Sequence, residues 1–160
     1  MSKDIDHVWD LMENITTCMM VTRDARELRA RPMAAYVRRH EDAIYFLIDR
    51  RQHKDDEIAK SPGVCLAFAD NSGERYVSLT GHATLLNDRA KIGELWSSSA
   101  KAYWETSEDA NIRLLKVTPH DAQYWDSPDP VETYVAMAAS SLTGKPPEPG
   151  ENRKVRMEKK

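Results

Sequence analysis

The segment Ala43-Ile44-Tyr45-Phe46-Leu47-Ile48 is nearly all apolar, and it is closed on either side by polar residues at 38–42 and at Asp49-Arg50. So short an apolar run between turn signals reads as a strand covered on both faces. The rest of the chain must therefore supply two coverings for it.

The neighbouring patterns supply strands. Residues 16–22 and 28–37 form a pair around the polar turn 23–27. Pro32 lies in the second; it donates no ladder hydrogen bond, so it marks an edge or a break. Residues 64–69 and 76–86 flank the hairpin-type turn Asn71-Ser72-Gly73. Gly81 in the second of these predicts a bulge or a close backbone approach. Residues 112–118 form a sixth strand that Pro119 stops, and residues 122–125 a short seventh.

Helices fall between and around them. Ile5, Val8, Trp9 and Met12 recur at helical spacing. Residues 53–60 carry acids early and a lysine late, with Pro62-Gly63 beyond. Asp88 caps a helix over 89–97, and a looser helical stretch follows at 100–104. A last helix starts at Pro130 and ends at Gly144. Short connections between most strands predict an antiparallel sheet that curls into a barrel with helices over its openings. The 160 residues suit one domain over 1–144 and a Pro-, Gly- and charge-rich tail over 145–160, ordered if something docks it.

Composition narrows the function. The net charge is −3 at pH 7 and the pI about 6.0, so no global field invites nucleic acid. No apolar stretch approaches the roughly 20 residues of a membrane span. The polar start Met-Ser-Lys-Asp is unlike a signal peptide. Cys18 and Cys65 sit in apolar runs and read as reduced core thiols of a cytoplasmic protein. The histidines are scattered, without metal-ligand spacing, so no metal site is expected.

Local basic clusters do stand out. Arg29 and Arg31 alternate on one strand and so share a face. Paired guanidinium groups suit phosphate, and they equally suit a solvated surface. Arg50-Arg51-Gln52-His53-Lys54 leads from a strand into a helix start. Cations there make sense with an anion between them and the free N–H groups, or with side chains turned to water. The backbone of Ile48 and Asp49 runs into this loop and offers donors and acceptors to the polar edge of a flat ring.

Taken in order, Arg31-Pro32-Met33, the apolar strand, His53-Lys54 with Ile58 and Pro62, and Tyr76 to Leu86 with Gly81-His82-Ala83 resemble the pyridoxamine 5'-phosphate oxidase-like split β-barrels that bind flavin mononucleotide (FMN). The stretch Leu114 to Pro119 with Tyr124-Trp125-Asp126, and the late Gly150-Glu151-Asn152, resemble the general stress protein 26 branch. The likeness implies a six- to seven-stranded antiparallel split barrel, mainly β with flanking helices. It implies a homodimer with FMN at the subunit interface. By position, Arg31 and Lys54 would bind the phosphate, with Gln52 and His53 where the family often has a serine beside a basic residue. Met33, Ala34, Ile48 and Asp49 would line the ring. Tyr76 and Ser78 would face it from the partner, with Trp125 near the ring or plugging the barrel end. A flavin-dependent oxidoreductase acting on a small molecule is implied, or an FMN-binding protein without turnover. A haem-binding relative fits less well, because His82 is the lone histidine in the strands assigned to the pocket. No Arg-rich segment follows Trp125 to hold a substrate phosphate, so pyridoxamine phosphate is not the expected substrate.

Overall fold

A computed structural model describes residues 3–52, 54–127, 130–146 and 150–158. Helix α1 (Lys3–Ile15) leads into the hairpin β1 (Thr17–Asp24) and β2 (Glu27–Ala34). β3 (Tyr36–Arg38) and β4 (Ala43–Asp49) follow, then α2 (Lys54–Lys60), β5 (Gly63–Asp70) and β6 (Arg75–Leu86). The chain ends with α3 (Arg89–Leu95), β7 (Ile112–Asp126), α4 (Pro130–Thr143) and β8 (Glu151–Arg156).

All strand pairs are antiparallel, in the order β2-β1-β5-β6-β7-β4-β3, with β8 added to β7. The outermost strands of that order, β2 and β3, are consecutive in the chain and joined at Ala35. The sheet must therefore curl until its two edges meet at that residue. It does not close, because among the described residues β2 pairs only with β1 and β3 only with β4. This is the mainly β, split-barrel type of architecture that the motif order implied.

β4 is buried along its whole length. Ile44, Phe46 and Ile48 enter the main core, against Trp9 and Met12 of α1 and Leu66, Phe68 and Leu79 of the sheet. The alternate residues Ala43, Tyr45 and Leu47 enter a second core with Ile92, Leu95, Ala100 and Trp104. The period of two along a strand sorts one segment between two coverings.

Three expectations need correction. The single strand expected over 28–37 is two, because the chain passes at Ala35 from β2 on one sheet edge to β3 on the other. Pro119 does not stop a strand: β7 runs unbroken from Ile112 to Asp126. Pro119 sits opposite Gly81, where the β6–β7 register shifts, so the N–H that proline lacks falls at a bulge. The strand count is also eight among the described residues, because residues 151–156 of the tail dock on β7 as β8.

Candidate functional site

Where the two sheet edges approach each other, they leave a cleft of about 330 Å³. One wall is the end of the edge strand β2, at Pro32, Met33 and Ala34, with Tyr36 just beyond. The opposite wall is the end of β4, at Leu47, Ile48 and Asp49, continuing into Arg51 and Gln52. Ser99, Ala100, Tyr103 and Trp104, from the connection between α3 and β7, complete it.

Both strand walls present open backbone edges. β2 has β1 on one side and, among the described residues, no strand on the other. β3 pairs with β4 up to Tyr45, so among the described residues the β4 edge over 46–49 has no strand partner on the cleft side. N–H and C=O groups on an open edge are obligatory hydrogen-bonding groups awaiting a partner. A flat ligand with a polar rim suits such a slot; its faces meet apolar and aromatic side chains.

Asp49 organises the inner end. Its carboxylate accepts from the Arg51 backbone N–H at 2.9 Å and from the Arg51 guanidinium at 2.9 and 2.5 Å. The Trp104 indole N–H donates to the same carboxylate at 3.2 Å. The Arg51 side chain holds this carboxyl well below the usual carboxylate range against the opposing effect of burial, and the Arg51 N–H and Trp104 add to it. With its side chain so engaged, Asp49 faces the cleft chiefly through its backbone. Tyr36 is fixed on the far side through its hydroxyl, 3.2 Å from Ser97 Oγ.

Of the residues expected at a binding site, Met33, Ala34, Ile48, Asp49 and Gln52 come together here. Arg31 lies next to the cleft but does not line it. Both its terminal nitrogens donate to Glu57 Oε2, at 3.3 and 3.2 Å, and the Thr22 hydroxyl donates to the same oxygen at 3.2 Å. His53 and the side chain of Lys54 lie outside the described residues. Tyr76, Ser78 and Trp125 are elsewhere. Tyr76 pairs directly with Trp125 across β6 and β7, and Ser78 is two residues along the same face. That face also carries Ala67 and Met19, in register with Ser78 across β5 and β1. It reaches the cleft at Pro32, the partner of Met19 on β2.

Tyr36, Leu47, Arg51, Tyr103 and Trp104 are cleft residues that the motif order did not single out. For Trp104 the available signal was an aromatic cluster in a stretch otherwise poor in regular structure.

Residues 3–148 match the family model described as pyridoxamine 5'-phosphate oxidase like. General stress protein 26 of Bacillus subtilis (strain 168) is 26% identical over 98 residues, 58% of this chain and 70% of its own length. A crystal structure described as a general stress protein 26 from Jannaschia sp. CCS1 superposes with a TM-score of 0.82 at 24% identity, over 97% of this chain and 99% of that one. The general stress FMN/FAD binding protein of Xanthomonas citri gives 0.70 at 22% identity, over 80% and 92%. With the family model matching nearly the whole chain, this protein belongs to the pyridoxamine 5'-phosphate oxidase-like family.

Proposed function

We propose that the cleft binds FMN and that the protein is a flavin-dependent oxidoreductase of the general stress type, acting as a cytoplasmic homodimer on a small molecule. The observation that carries this reading is the slot between two open strand edges. The outward backbone groups of Pro32 and Ala34 on β2 and of Leu47 and Asp49 on β4 offer hydrogen bonds to an isoalloxazine rim, and Met33, Leu47 and Trp104 offer apolar surface to its faces. The volume and the lining fit the ring, and the relative from Xanthomonas citri is itself an FMN/FAD binding protein.

The phosphate would lie outside the slot, beyond Gln52, between Arg31 and Lys54. Gln52 lines the cleft at the end of the Arg50–Gln52 turn, and Lys54, two residues on, opens α2. The bound flavin would supply the redox chemistry, taking up and passing on electrons or hydride. The chain's own part is to bind the ring edge, to screen one face from water with Trp104 and Leu47, and to keep Asp49 ionised and tied to Arg51. Tyr76, Ser78 and Trp125 would meet the flavin of the partner subunit, because within one chain their face adjoins the cleft at the β2 edge, at Pro32 and Ala34.

FMN titration by fluorescence quenching tests the site. The double variant R31A/K54A should bind FMN roughly a hundredfold more weakly, since each charge-assisted contact is worth about 1.5–3 kcal/mol. Wild-type affinity in that variant would move the phosphate elsewhere, and failure of the native protein to take up FMN would end the proposal. Anaerobic NADH or NADPH then separates the two roles: flavin bleaching marks an oxidoreductase, and its absence marks binding without turnover.

A further inference from the structure

Helix α4 is a surface without a partner. α1, α2 and α3 each pack against strands, and among the described residues α4 has no comparable neighbour in its own chain. Yet it is apolar: Tyr134, Val135, Met137 and Leu142 are 76%, 61%, 57% and 89% exposed. Glu132 is the one charged residue in its sequence. An isolated helix of this length is marginal in water, and an apolar one is also insoluble.

Nor does the topology require it. Asp126, the last residue of β7, pairs with Glu151, the first of β8. A tight hairpin would join them, and the chain instead inserts a helix at that point.

We infer that α4 seats on a second copy of this chain. The occupant follows from three observations. First, α4 carries no basic residue, so it lacks the charged face that brings a helix to an anionic lipid surface. Second, the chain exposes apolar side chains on its outer sheet face: Leu28 is 68% exposed, Met19 40% and Trp125 37%. Trp125 stands next to Asp126, the root of the α4 connection. Third, the area suffices. The four α4 side chains together present on the order of 500 Å², and the sheet face adds to that, against roughly 800 Å² given by each partner in a standard stable interface. Two-fold symmetry lets each helix cover the other copy's open surface in one closed dimer. This seat builds on the homodimer proposed above and names which surface is buried in it.

Sedimentation velocity over a dilution series tests the seat, with the wild type beside V135K/M137K/L142K. The substituted side chains are solvent-facing in the single chain, so the monomer should keep its fold, checked by far-ultraviolet circular dichroism. The wild type should sediment as a dimer, and the variant should dissociate at least tenfold more readily. Hydrogen exchange gives a second readout that needs no substitution: amides of α4 should be protected in concentrated wild type and lose protection on dilution. A monomeric wild type, a variant that dimerises as tightly as wild type, or α4 amides that exchange freely at every concentration would overturn the seat. So would a monomer that floats with phosphatidylcholine–phosphatidylglycerol vesicles, which would hand α4 to a membrane. FMN uptake is read separately from flavin absorbance. A colourless dimer that depends on α4 would leave this seat standing and remove the cofactor reading.

Discussion

The Trp104 indole N–H donates to Asp49 Oδ2 at 3.2 Å, joining residues 55 apart in sequence at the inner end of the cleft. Through this bond the connection between α3 and β7 is fastened to the end of β4, and Tyr103 is held at the rim. Trp104→Phe keeps most of the ring and removes the donor. A hydrogen bond to a charged acceptor is worth about 1.5–3 kcal/mol, so a loss in that range is expected from urea unfolding, with weaker FMN binding alongside. Unchanged stability and affinity would show that Arg51 alone positions Asp49.

Asp49 also predicts a pH dependence. The Arg51 side chain sets its folded carboxyl well below the unfolded value of roughly 4. A depressed folded value contributes stability that is complete above the unfolded value and is lost as pH falls through the folded one. The urea midpoint of the wild type should therefore fall between about pH 4 and pH 2, and that of Asp49→Asn should fall less steeply over the same interval. Parallel acid limbs would assign the loss to other carboxylates.

Much of this architecture could be read from single residues. Pro32 marked an edge or a break, and β2 is an edge strand; Gly81 marked a bulge or a close backbone approach, and the register shifts there. The uniformly apolar run from Ala43 announced two coverings, and β4 serves two cores. Pro119 misled because the rule that proline ends strands is local, and the bulge that excuses it depends on Gly81 of another strand. The tail gave no strand signal, because Glu151–Arg156 is almost wholly polar and gains its order from pairing with β7. The cleft was legible where it follows backbone order, at Met33, Ala34, Ile48, Asp49 and Gln52. It was illegible where folding brings in Trp104, because nothing near Asp49 in sequence names its partner.

Gly81 makes a sharper claim than the bulge alone. A Cβ built there would meet the Thr118 carbonyl oxygen at 2.7 Å and Val117 Cγ1 at 2.8 Å. Strand backbone cannot swing aside as a side-chain tip can. Gly81→Ala should cost about 1–3 kcal/mol, the usual range for overpacking, seen as a lower Tm. Wild-type stability in this variant would mean that β6 and β7 separate there without cost.

Glu57 bears on how the proposed phosphate site is balanced. Its Oε2 takes both terminal nitrogens of Arg31, and both side chains are about one-fifth exposed. A phosphate arriving beside Arg31 would share its cation with this carboxylate and be repelled by it. Glu57→Gln keeps an oxygen that can accept from Arg31 and Thr22 and removes the negative charge. FMN affinity should then rise roughly three- to tenfold, the scale of a partly screened charge a few ångströms away. Riboflavin, which has no phosphate, should bind both forms equally. Stability should fall by about 0.5–1.5 kcal/mol as the charge-assisted bonds weaken. A loss of FMN affinity, with riboflavin unchanged, would show instead that Glu57 orients Arg31 for the phosphate and does not compete for it.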